Sequence, residues 1–163
     1  QPMFSIFPEI KKAVKIPVIG AGGIVDGYDV AKAISMGADG VQMGSRFAAS
    51  FESNGAPNLK ELYLSIKAED IVLIDSPVGY KGRAARTPFS QLSLDNCSPK
   101  PTKCDSCLKH CTRSFCIIRS LIRAQQGDLE TGLVFSGESM TRIDEILSVK
   151  EIFARIKQQA QEV

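Results

Sequence analysis

Two short apolar runs, each ending in glycine, constrain this chain more than anything else in it. The first is Ile16-Pro-Val-Ile-Gly-Ala-Gly-Gly-Ile24, and the second is Gly40-Val-Gln-Met-Gly-Ser-Arg-Phe47, with 21 residues from Gly23 to Gly44. Ile16 to Gly20 reads as a buried strand, apolar on both faces as parallel strands are. Gly40 to Gly44 reads as the next strand. Between them Asp26 is a good helix N-cap, Asp29 falls at the third helical position, and Val30, Ala33 and Ile34 form one face before Gly37. Strand, helix and strand at this spacing predict a parallel βαβ unit and an α/β fold.

The glycines carry the chemistry. A phosphate group reaches a backbone only where side chains are absent, and Gly22 and Gly23 supply that at a strand's C-terminal end. Their amides, with the start of the helix near Asp26, are expected to face the anion. Gly44 and the Ser45 amide would supply a second set of donors at the next strand end. An isolated glycine pair is more often only a tight turn. Two glycine-ended strands with matched spacing instead fit the rule that βα barrels bind phosphate at their last two strands.

Size then limits how much of such a barrel is present. A whole barrel takes about 250 residues, whereas this sequence has 163. The expectation is therefore the C-terminal part of a longer polypeptide. Hydrophobic content of 44% is ordinary for a globular chain, and a formal charge of +2 is too small to argue for nucleic acid or an anionic membrane. No apolar run approaches the ~20 residues of a membrane span, and no signal-peptide pattern opens the sequence, so the expected location is cytoplasmic.

Along the chain, Pro8 suits the first turn of a helix reaching about Val14. Asn54 to Pro57 is a turn cluster, followed by a helix with Leu59, Leu62, Tyr63 and Ile66 on one face. Ile71 to Ile74 is a strand candidate, and Ser76 to Arg83 a glycine-rich basic loop. Residues 87 to 111 read as irregular. A helix is predicted from about Ser114 to Gln126, and two capping boxes, Thr141-x-x-Asp144 and Ser148-x-x-Glu151, predict two short helices in the tail. The resulting division is residues 1–52 as βα units and 53–163 as a mostly helical or irregular extension.

Ile16 to Gly27 and Met36 to Phe47 resemble the FMN-binding signature of the nitronate monooxygenase family, formerly the 2-nitropropane dioxygenases. That family also takes in the FMN-dependent enoyl-acyl-carrier-protein reductases. The resemblance is specific over residues 8 to 52 and continues more loosely through Ser76-x-x-Gly79-x-x-x-Arg83, Gly127-Asp128 and Gly132 to Gly137. It implies the last two βα units of an FMN-binding TIM barrel, in which Gly22, Gly23, Gly44 and Ser45 bind the FMN phosphate and Gln42 and Met43 lie beside the flavin. It also implies a small-molecule substrate: an alkyl nitronate oxidised to a carbonyl compound and nitrite, or, in the alternative, an enoyl thioester. The family's catalytic histidine precedes this region, and His110 does not match it. The base is expected upstream, and this part alone is expected to be inactive. An incomplete barrel leaves apolar edges that a second copy would cover in a homodimer.

Five cysteines form the other constellation: Cys97, Cys104, Cys107, Cys111 and Cys116. Cys104-x-x-Cys107-x-x-x-Cys111, with Cys116 or Cys97 as a fourth ligand, suits a soft metal such as zinc, for which His110 is an additional candidate, or an iron–sulfur cluster. The spacing resembles that of flavin barrels of the dienoyl-CoA reductase type, which implies a [4Fe–4S] cluster beside FMN. Zinc would make this segment a metal-binding interaction module. Unligated thiols, with Cys116 on a helix face, are the plainer alternative. The basic run Tyr80 to Arg86 reads as a solvated loop, with Arg83 raised by the resemblance as a contact near the active-site mouth. Ser136-Gly-Glu-Ser139 reads as the start of a helix.

Overall fold

The computed structural model describes residues 3–104 and 106–163. In chain order the elements are helix α1 (Met3–Ala13), strand β1 (Ile19–Ala21), α2 (Gly27–Ser35), β2 (Gly40–Gln42), α3 (Ser45–Ala48), α4 (Pro57–Ser65), β3 (Ile71–Asp75), β4 (Lys81–Ala85), α5 (Pro88–Leu94), α6 (Ile117–Gln125) and α7 (Val149–Gln161). Short 3-10 turns occupy Ala68–Asp70 and Glu138–Arg142. The chain forms two compact units, Gln1–Ser53 with Glu138–Val163, and Asn54–Gly137. The tail from Glu138 therefore groups with the βα segment and not with the residues that precede it, unlike the division read from the sequence.

In the first unit β1 and β2 pair in parallel, with Gly20 opposite Val41, and α2 crosses between them. Asp26 caps α2 by accepting from the Asp29 amide at 2.8 Å, and Gly37, at φ 95°, ends its final turn. Asp39 then ties the start of β2 to the run before β1, accepting from the Val18 amide at 2.8 Å and pairing with Lys11. Phe7, Ile24, Ala33 and Ala38 form the core, with Met3, Phe4, Val18, Val30, Met36, Val41 and Met43 packed around it.

Two expectations change here. The helix α1 begins at Met3 and carries Pro8 inside it, because Met3 and Phe4 gain burial against this core that offsets the backbone bond proline cannot make. The first strand is shorter than expected and not buried throughout: Ile16 is 67% exposed and Ile19 is 56% exposed. The sheet of β1 and β2 has two strands, so the far side of β1 has no neighbour among the described residues.

The second unit is built on an antiparallel hairpin, with Ile71 opposite Ala85 and Asp75 opposite Lys81. Strand alternation turns Val72 and Ile74 inward and Leu73 and Asp75 outward. Val72, Ile74, Ala84, Phe89, Phe115 and Leu133 make the core, and the Phe89 and Phe115 rings meet edge to face at 5.2 Å. Ala85 donates to the Val134 carbonyl at 2.8 Å and Ser136 to that of Arg83 at 3.1 Å, so residues 134–136 extend the hairpin.

The basic run is thus largely strand β4, not a loop. Its turn is Ser76 to Tyr80, closed by the Ser76 amide donating to the Tyr80 carbonyl at 3.0 Å, with Gly79 at φ 89°. The stretch expected to be irregular contains α5, started by a reciprocal capping box between Thr87 and Ser90 and by Pro88 in its first turn. The helix α6 begins at Ile117, three residues late, because Ser114 is held by the Thr112 hydroxyl and Phe115 is turned into the core. In the tail only Ser148 and Glu151 form a capping box, and Thr141 donates back to the Glu138 carbonyl within a 3-10 turn. The segment after residue 53 therefore combines the helices α4 to α7 with one two-stranded hairpin.

Candidate functional site

The two glycine loops sit where β1 and β2 end. Gly22 and Gly23 have φ of 92° and 78°, a left-handed pair that glycine adopts freely and other residues do not. A Cβ added at Gly22, Gly23 or Gly44 would meet no protein atom within 4 Å. Packing within this chain therefore does not require glycine at any of the three. At Gly44 the backbone does not require it either, since φ −99° and ψ −64° are open to any residue. Open space at a bare backbone, at two adjacent parallel strand ends, is what close approach by a ligand phosphate demands, and in this respect the residues fit the phosphate end of FMN. Ser45 opens α3, whose first turn has no side-chain cap.

One detail corrects the sequence reading of this site, and two others place residues that reading singled out. The start of α2 is already occupied by the protein itself: Asp26 accepts from the Asp29 amide, Asp29 accepts from the Val25 amide at 2.9 Å, and Gln159 Oε1 accepts from the Gly27 amide at 2.8 Å. The helix terminus is thus a support for the glycine loop, and its capped amides are not donors to an anion. Met43 is half-buried against the Phe7 cluster, which leaves Gln42 as the exposed member of the pair expected beside the flavin. His110 is exposed and lies in the cysteine segment, in the other compact unit.

Sequence reasoning missed the residues that hold the loops in place. Arg46, directly after Ser45, is 7% exposed and donates through Nη2 to the carbonyls of Ala49 (2.6 Å) and Glu145 (2.8 Å), while its buried Nε has no partner among the described residues. Burial pushes the Arg46 guanidinium below its ordinary pKa, with Glu145 and Asp144 opposing. Arg142 pairs with both Asp26 and Asp29. Further links from the tail are Phe51 N to the Leu147 carbonyl (3.0 Å), Val149 N to Glu52 (3.0 Å), and the Phe47 and Phe153 rings at 5.6 Å. Apart from Ala49, each partner lies about a hundred residues away in sequence, so no local pattern announces it.

The cysteines present a different picture. Cys97, Cys104, Cys107 and Cys111 are exposed free thiols, and Cys116 is a half-buried residue at the N-cap of α6. Among the described residues no three Cys, His, Asp or Glu side chains come together as a metal site. Among those same residues, no helix is long and apolar enough to cross a membrane.

Comparison with known proteins defines the class first. The α/β architecture matches TIM-barrel enzymes: FabK from Thermotoga maritima superposes with a TM-score of 0.80 at 34% identity, covering 98% of this chain and 49% of that one. A nitroalkane oxidase from Streptomyces ansochromogenes shares the fold, with a TM-score of 0.76, 21% identity and coverage of 98% and 44%. Among curated proteins, a probable nitronate monooxygenase of Staphylococcus aureus (strain Newman) is 42% identical over 82 residues, which are 50% of this chain and 22% of that protein. The nitronate monooxygenase family model matches residues 1–159, and the chain belongs to that family. Members of the family are oxidoreductases. The chain spans under half the length of these two solved structures.

Proposed function

We propose that this chain holds the phosphate end of FMN in an oxidoreductase that acts on a small molecule, with alkyl nitronate oxidation to a carbonyl compound and nitrite as the reaction. The observation that carries the reading is the set of three glycines, Gly22, Gly23 and Gly44, where a side chain would meet no protein atom. Flavin, when bound, supplies the electron-accepting centre. The chain's own share is positional: the Gly22, Gly23, Gly44 and Ser45 amides grip the phosphate, and Gln42 reaches the ligand's near side.

In this reading β1 and β2 are the last two strands of a barrel. The exposed Ile16 and Ile19 then face neighbouring strands of the whole protein, or a second copy, and the base that removes the substrate's proton lies outside these residues. The test is on the full-length protein: it should purify yellow and turn over an alkyl nitronate with oxygen, releasing nitrite.

A second reading, reduction of an enoyl thioester by a nicotinamide donor, is favoured by the FabK likeness, whose 34% identity exceeds that to the nitroalkane oxidase at 21%. NAD(P)H consumption dependent on an enoyl thioester, without nitrite release from a nitronate, would select it.

A further inference from the structure

Two carboxylates stand at the start of α2, beside the loop proposed to hold the phosphate. Asp26 follows Gly23 by three residues, so at most about 11 Å of extended chain separates them, close to one Debye length at about 0.1 M salt. Asp29 lies one helical turn further on, with its carboxylate folded back onto the Val25 amide at 2.9 Å. A phosphate held at Gly22 and Gly23 would therefore face a pair of like charges, and repulsion of this kind weakens anion binding.

Arg142 answers both charges at once. It lies 116 residues beyond Asp26 in sequence, in the 3-10 turn at Glu138–Arg142. Its Nη2 donates to Asp26, and its Nη1 lies 3.1 Å from Asp29 Oδ1 and 3.0 Å from Oδ2. We propose that Arg142 is a positioning residue of the phosphate cradle, which neutralises Asp26 and Asp29 and, through Asp29, fixes the Val25 amide that ends the glycine loop. The proposal rests on the FMN-phosphate reading. Desolvation works against the Arg142 charge, but the hydrogen bonds and charges of the two aspartates outweigh it and hold the guanidinium above its ordinary pKa. Asp26 caps α2 and Asp29 holds the Val25 amide just before it; the arginine makes this pair of carboxylates compatible with an anion next door.

The experiment uses the full-length protein stripped of flavin and titrated with FMN and with riboflavin, which lacks the phosphate. Wild type should prefer FMN. R142Q should weaken FMN about tenfold while leaving riboflavin within about twofold, and R142K should recover most of the loss, since a lysine keeps the charge but not the fork. Adding D26N and D29N to R142Q should restore FMN binding, because asparagine still caps a helix but carries no charge. Should R142Q fail to fold, D26N/D29N in the wild-type background decides: it should bind FMN at least as tightly as wild type.

Equal losses for the two flavins, no recovery with the asparagine pair, or weaker FMN binding by D26N/D29N would each overturn the role of Arg142. If wild type showed no preference for FMN over riboflavin, the phosphate reading would fail, and the Arg142 inference with it.

Discussion

The glycine loops of residues 20–47 and the cysteine segment of residues 95–116 are the two most distinctive stretches of this chain, and they are held by very different means. Gly22 and Gly23 lie between a paired strand and a capped helix, above a core in which Ala33 is 1% exposed. From Asp95 to Ser114 none of the described residues is buried, and both helix and strand are absent among them. The left-handed backbone positions divide the same way. In the first region they fall on glycines, at no steric cost. In the second they fall on Asn96, Ser106 and Arg113, where serine and arginine sacrifice on the order of 1 kcal/mol each. A binding loop keeps its shape when the elements on both sides of it are packed. The exposed segment is held by local turns and by links such as the Thr112 amide to the Pro77 carbonyl at 3.0 Å, with no packed core beneath it.

The largest effect tests where the cysteine segment stops. Phe115 ends it and is 1% exposed in the core of its unit, so Phe115→Ala should cost about 3–5 kcal/mol by denaturant titration. Next, Gly23→Val should weaken FMN retention by at least about 100-fold in the full-length protein, roughly 2.8 kcal/mol, through a disfavoured φ and a side chain where the phosphate sits. Flavin retained at wild-type level by that variant would remove the cradle from the comparison.

Gly27→Ala tests the scaffold behind the loop. A Cβ there would lie 2.3 Å from the Ile156 carbonyl oxygen, so α2 and α7 must part, at about 1–3 kcal/mol by thermal or chemical unfolding. The triple change of Cys104, Cys107 and Cys111 to serine should shift stability by less than about 0.5 kcal/mol, with or without a chelator. A zinc-dependent rise in Tm that the triple variant lacks would show the thiolates gathering on metal, and would give the segment the scaffold it does not otherwise have.

The smallest effect concerns acid. The Lys11 hydrogen bond, followed by that of the Val18 amide, lowers the Asp39 carboxyl pKa, so its contribution is complete above the ordinary carboxylate range near about 4 and is lost as pH falls through the folded value. Asp39→Asn should therefore make Tm slightly less sensitive to pH below that range.

The local signals read correctly were those whose partners lie within a few residues. Asp26 caps α2, Ser148 and Glu151 box the start of α7, and the apolar run Ile71 to Ile74 marks β3, because each depends on backbone geometry that neighbouring residues determine. The hairpin was missed because Lys81-Gly-Arg-Ala-Ala85 holds no β-branched or aromatic residue and has little intrinsic preference for strand. Pairing with β3 and the approach of residues 134–136 decide it. Pro8 likewise misplaced the start of α1, where burial of Met3 and Phe4 outweighed a local rule.

The amino-acid sequence alone determined the βαβ unit, the bare glycine backbone at both strand ends and the family they announce, since spacing and the absence of side chains are properties of the chain itself. Tertiary structure alone decided that the tail returns to the βα segment, that Arg46 and Arg142 brace the two loops, and that the start of α2 is filled by the protein's own carboxylates. Those contacts join residues about a hundred positions apart. They exist because buried donors and adjacent like charges must be satisfied by whatever the fold brings near, and that requirement leaves no periodic trace in the sequence.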